Sequence, residues 1–150
     1  MLIGLILVAV QINQNTGIAE AQLTNDYYLA DMELELSMMG DAPIDSFVRA
    51  VYEPEQIDQR DAAVLDRYFN YVFVQLDRLI RMRELGFADD RAVQKQVRYM
   101  RWHLGNEAGR SWWAEYRNGP QTELIQLVDA ALEGYDFRQN QVQLDAVLPD

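Results

Sequence analysis

The chain of 150 residues has no cysteine. Disulfides, thiolate metal sites and cysteine nucleophiles are therefore excluded. Histidine occurs once, at His103. A zinc site needs three or four ligands, so one imidazole is a poor start for metal chemistry. Glycine and proline are sparse, at 8 and 4, which argues against a disordered chain. Basic residues are also few, 13 against 24 acids, for a net charge of −11. A phosphate polyanion requires a broad basic footprint, so nucleic acid is excluded as a partner. Strand-like alternation, internal repeats, phosphate loops and dinucleotide fingerprints are missing too.

What is there begins with "MLIGLILVAVQINQNTG". From Leu2 to Ile12 only Gln11 is polar. A helix that is apolar on every side is buried, in protein or in lipid. These residues cover about 16 Å, roughly half of a hydrocarbon layer of about 30 Å. Three readings compete. A secretion signal lacks its positive n-region, although Ala19-Glu20-Ala21 resembles a cleavage site. A soluble core helix has no polar side to turn to water. A membrane segment is short, unless it starts upstream of Met1 or partner helices bury it. The expectation is the third, with Leu2, Ile3, Leu5, Ile6, Leu7, Val8 and Val10 in the membrane and the amides from Gln11 to Asn15 at the water interface. No Lys or Arg occurs from Met1 through Val48, so the flank carries no cytoplasmic retention signal. The segment is thus expected in a bacterial inner membrane with its domain on the periplasmic side.

Beyond Gly17 the pattern stays helical. Ile18, Ala21, Leu23, Tyr27, Leu29–Ala30, Leu34 and Met38 recur at helical spacing, with acids between them, so one continuous or kinked helix is expected to run to Met39. Gly40-Asp41-Ala42-Pro43 ends it, and a short helix follows from Ile44 to Tyr52. Asp58, with Asp61 three residues on, reads as a capping box. The next helix carries Leu65, Phe69, Val72, Leu76 and Leu79–Ile80, widened by Tyr68, Tyr71 and Phe73, and belongs at the centre of a bundle. It closes on Arg78, Arg81, Arg83 and Gly86. Asp89 or Asp90 caps a helix that presents Val93, Val97, Met100 and Leu104 inward and stops at Gly105. Residues 106–117 form a short helix, Asn118-Gly119-Pro120 a turn, and Leu124 to Leu132 the last stripe before Gly134. The tail packs loosely through Phe137, Val142, Leu144 and Leu148 or is mobile. The reading is all-α: an anchor over 1–16, a bundle of about four to five helices over 17–134, and a tail over 135–150.

Candidate chemistry is thin. His103 and Glu107 stand four apart, but Gly105-Asn106 lies between them, and Ser111 has no nucleophile elbow around it. No cofactor, metal or catalytic group is expected. Two clusters stand out. Arg91, Lys95, Arg98 and Arg101 share one helical face with no acids at the matching positions to pair them. The favoured expectation is that this face is salt-bridged to the acidic first helix; the alternative is an anion site for lipid headgroups or a partner's acidic face. Arg110, Trp112, Trp113 and Tyr116 combine the residue types that dominate interface hot spots. Adjacent tryptophans diverge by about 100°, so one anchors the bundle while the other faces its rim.

The segments "LIGLILVAVQINQNT", "FNYVFVQLDRLIRMRELGF" and "GRSWWAEYRNG" ahead of "LIQLVDAAL" resemble a loosely defined group of uncharacterised bacterial proteins. The resemblance implies one N-terminal membrane helix, a small helical domain, and a Gly-x-x-x-Trp-type element at Gly109, Trp113 and Arg117. It implies no activity. The functional expectation is a non-enzymatic accessory subunit of a membrane protein assembly, partnered by other subunits. The competing class is a ligand-binding or enzymatic bundle with a pocket lined by Tyr68, Tyr71, Trp102, His103 and Trp113.

Overall fold

A computed structural model of the protein describes residues 2–40 and 43–138. Within those residues it is all-helical, with six α-helices and no strand. The first, α1, runs unbroken over Leu2–Met39. It is followed by α2 (Pro43–Tyr52), a 3₁₀ turn (Pro54–Gln56) and α3 (Gln59–Glu84). Then come α4 (Asp90–Leu104), α5 (Glu107–Tyr116) and α6 (Glu123–Leu132).

Local chemistry sets most boundaries. The Asp58 carboxylate accepts from the Asp61 amide at 2.8 Å, while Asp61 reaches back to the Asp58 amide, so α3 opens on a reciprocal capping box. Asp89 caps α4 through the Ala92 amide, and Asn106 caps α5 through the Gly109 amide, each at 2.8 Å. The last helix starts later than the Asn118-Gly119-Pro120 turn, because Thr122 is its cap. At the end of α3, Gly86 takes a left-handed φ of 81° that a side chain would resist. Gly105, the C-cap of α4, is required as glycine for a different reason. Its φ is −74°, but a Cβ there would collide with the Tyr135 ring and lie 2.7 Å from the Arg101 carbonyl oxygen.

The long helix α3 is central, packing against every other α-helix. Phe69, Val72, Leu76 and Ile80 of α3 meet Val93, Val97, Met100 and Leu104 of α4, Trp113 of α5, Leu124, Ile125, Val128 and Leu132 of α6, and Phe47 and Ala50 of α2. Among the described residues, none of α1 belongs to this cluster. The five helices α2–α6 therefore enclose the core, and α1 lies along its outside against α3.

The membrane anchor expected at the start is corrected here. No described helix is long and apolar enough to cross a membrane, which conflicts with placement in a bacterial inner membrane. The helix itself is long, but its wholly apolar part stops at Val10 and the same helix continues through amides and then acids. Ile6, Leu7, Val8 and Val10 are exposed, and the side chains of Leu2, Ile3 and Leu5 lie outside the described residues. Also outside them are residues 139–150, and with them the expected packing of Val142, Leu144 and Leu148, while Phe137 is half-buried.

Candidate functional site

The docking of α1 on α3 is antiparallel and mostly polar. The Tyr28 hydroxyl donates to the Asp77 carboxylate at 2.6 Å, and burial together with that carboxylate raises the phenol above its ordinary pKa. Arg78 donates to the Asn25 side chain, Arg81 pairs with Glu20 at 3.4 Å, and Asn70 donates to Glu35. Arg67 stands 3.7 Å from Glu35, whose carboxylate is buried with its Oε2 left without a hydrogen-bond partner. Among the described residues of α1, Ala21 and Met32 add the buried apolar side chains.

The helix is thus inverted. Asn25, Tyr28 and Glu35 face the bundle, while Leu23, Tyr27 and Leu34 face out. Leu23, Tyr27 and Leu34 are 73%, 69% and 56% exposed. With Ala30 they follow at steps of four, three and four, one face of a helix turned roughly a third of a circle from α3. The same line continues toward the N-terminus through Thr16 and Ile12. Since α3 ends at Glu84, no described element runs beside α1 ahead of Gly17, and every described side chain from Ile6 to Thr16 is exposed. Acids flank the apolar line, with Asp26 and Glu33 on one side and Glu20 and Asp31 on the other.

The second feature is the basic face of α4. The expectation that its cations pair with the acidic first helix is not met among the described residues. Of the acids of α1, Glu20 and Glu35 are engaged by α3, and α4 packs not on α1 but on α3, α5 and α6. Arg91, Lys95 and Arg98 are exposed, and Arg101 is half-buried with its guanidinium 4.7 Å above the Tyr135 ring. The buried Nε of Arg101 has no hydrogen-bond partner. Beside this face lies a groove of about 340 Å³ between α4 and α6, walled by Gln94, Val97, Arg98 and Arg101 on one side and Leu127, Ala130 and Ala131 on the other.

The tryptophan cluster divides as its geometry requires. Trp113 lies in the core and donates to Asp129 at 2.8 Å, and Arg117 pairs with the other oxygen of the same carboxylate at 2.9 Å. Gly109, Trp113 and Arg117 therefore line one side of α5, with a Cβ on Gly109 only 2.6 Å from the Leu104 Cα. Half-buried Trp112 donates to Asp66 and stacks with the more exposed Tyr116, ring centroids 4.7 Å apart. Arg110 donates to the carbonyls of Gly105, Leu132 and Tyr135 and ties α5 to the end of α6. Asp66 and Asp129 carry this arrangement; by sequence Asp66 reads as part of a solvated face with Asn70 and Asp129 has no role, because nothing local marks an acid as an indole acceptor.

Of the residues expected around an aromatic pocket, Tyr68, Trp102 and His103 come together. His103 is 2% exposed and packed among Tyr99, Trp102, Tyr68 and Phe47, with ring centroids from 4.1 to 5.5 Å. Its Nδ1 shares a hydrogen bond with the Tyr68 hydroxyl, its Nε2 has no partner, and burial lowers its pKa to about 4. Trp113 sits apart against α6, and the Tyr71 hydroxyl accepts from Gln75. Next to α2, the Ser46 hydroxyl donates to buried Asp61, which Arg49 approaches at 3.2 Å; Ser46 above all holds that carboxyl below its ordinary pKa. Ser111 is exposed on α5, and no group of three His, Asp or Glu side chains among the described residues is placed to hold a metal ion.

No family model, curated protein or solved structure matches the chain.

Proposed function

We propose that the protein is a non-enzymatic interaction subunit of a multiprotein assembly. In this reading α2–α6 form a scaffold, and α1 is the element offered to partner helices. The observation that supports it most is the inversion of α1. A helix that docks on its own bundle through Asn25, Tyr28 and Glu35, and turns Leu23, Tyr27 and Leu34 to water, leaves apolar area that another surface would bury favourably. The projecting stretch ahead of Gly17 adds Ile6, Leu7, Val8, Val10 and Ile12 on several sides, which suits insertion between helices more than contact with one.

Native gel electrophoresis of the chain in extracts of its source cells tests this. The expected result is migration well above the monomer, abolished by the double substitution Leu23→Asp and Leu34→Asp. Each buried aliphatic side chain contributes about 1.5–3 kcal/mol, so losing two weakens association about a hundredfold or more. The purified variant should keep the helical circular dichroism and melting temperature of the parent, because neither side chain touches the core. Migration of the unsubstituted chain as a monomer would refute the reading, as would a double variant that stays in the large species.

A further inference from the structure

We infer that the groove between α4 and α6 is a second docking site, independent of α1, and that it takes an acidic amphipathic helix of a partner protein. Three observations converge. The first is an imbalance. Acids outnumber bases 24 to 13 in the chain, so a cation has carboxylates to choose from. Arg67, Arg78, Arg81 and Arg83 of α3, and Arg110 and Arg117 around α5, are all engaged in ion pairs or hydrogen bonds. The face of α4 draws none: Arg91, Lys95, Arg98 and Arg101 meet no carboxylate among the described residues. The acids of α6 are spent elsewhere, Glu123 on Arg83 and Asp129 on Trp113 and Arg117.

The second observation is the shape beside those cations. The groove's apolar lining is buried Val97, half-buried Leu127 and the short side chains of Ala130 and Ala131. A channel between two helices with an apolar lining is the seat of a third helix, which lays its own apolar line into it. The third is the charge register. Arg91 to Arg101 spans three turns, about 15 Å, with Arg98 and Arg101 at the groove and Arg91 and Lys95 on the face beside it. A row of that length matches carboxylates spaced along a helix and exceeds what one phosphate reaches. An anionic bilayer is a poorer fit, since a plane does not enter a groove and repels a chain of net charge −11. The apolar line would supply affinity, and the cations orientation and encounter rate.

The test uses the full-length protein and a fluorescent synthetic helix of about twenty residues, with leucines along one face and glutamates flanking it. Binding read by anisotropy should weaken as salt is raised. It should fall at least about tenfold when the glutamates are replaced by glutamine, when the leucines are replaced by serine, and when the protein carries Arg91→Glu with Arg98→Glu. These two arginines are exposed, so circular dichroism and melting should be unchanged. A separate variant, Ala130→Trp, fills the groove without altering charge and should also block binding. The inference is overturned if the probe fails to bind, or if the glutamine probe binds equally well. It is likewise overturned if both protein variants retain affinity, or if phosphatidylserine vesicles or inorganic phosphate displace the probe at comparable concentration. Salt-sensitive dimers of the chain that vanish with Arg98→Glu would reassign the groove to a second copy and would refute the partner helix.

Discussion

His103 shows how a single side chain can tie stability to pH. It is held neutral by burial among four aromatic rings, and no neighbouring charge contributes to its lowered pKa of about 4. In the unfolded chain an ordinary imidazole titrates near 6.5. Between those values the unfolded state binds the proton and the folded state does not, so stability falls as pH drops from about 6.5 to about 4 and His103 adds nothing further below that. The difference corresponds to about 3 kcal/mol. Urea unfolding at pH 7 and at pH 4.5 should show this loss in the parent chain, superimposed on the titration of carboxylates. In His103→Phe the pH-dependent loss should be smaller by about 2–3 kcal/mol, with Tyr68 deprived of its partner at both pH values. An identical pH dependence in the two proteins would show that His103 is not the group responsible.

At the scale of the helix, α5 is held at close range to its neighbour. Its first turn approaches α4 so closely that a Cβ on Gly109 would stand 2.6 Å from Leu104 Cα and 2.9 Å from its carbonyl carbon, both backbone atoms that cannot swing aside. Gly109→Ala should therefore force α4 and α5 apart and cost about 2–3 kcal/mol in a denaturant titration. Gly119→Ala, in open space with an ordinary φ, should change stability by less than about 0.5 kcal/mol. Helix boundaries of this kind were largely legible in the sequence because their causes are local: the Asp58–Asp61 box, the Asp89 cap and Gly86 all act within a few residues. The orientation of α1 was not legible. Its apolar residues recur at helical spacing and read as one stripe, yet Ala21 faces α3 while Leu23, Tyr27 and Leu34 face out. The interior side of this helix is set by Asn25, Tyr28 and Glu35 finding partners on α3, a long-range match that periodicity does not encode. The expected bridge from α4 to α1 failed on the same point, since a count of charges does not say which helices are neighbours.

For the molecule as a whole, the separation of α1 from the core predicts two levels of stability. Burial in α2–α6 is apolar and continuous, whereas α1 is held by Tyr28–Asp77, Asn25–Arg78, Glu20–Arg81 and the contacts of Glu35. Half-exposed ion pairs contribute at most about 1 kcal/mol each, and their attraction weakens as salt screens it. The stretch ahead of Gly17 has no neighbour among the described residues of the bundle, and an isolated helix of that length is marginal in water. Hydrogen exchange of the isolated chain should therefore resolve three tiers, fastest for residues 4–16, intermediate for 17–37 and slowest for the middle of α3 and α4. Raising salt from low concentration to about 0.5 M should accelerate the intermediate tier severalfold and leave the slowest nearly unchanged. Such a helix can leave α3 without unfolding the scaffold, which is what a docking element needs if its partner is to grip more than one side. Exchange of residues 17–37 only together with the α3 and α4 amides would mean that α1 is an integral part of the fold, and the case for it as a separable arm would fail.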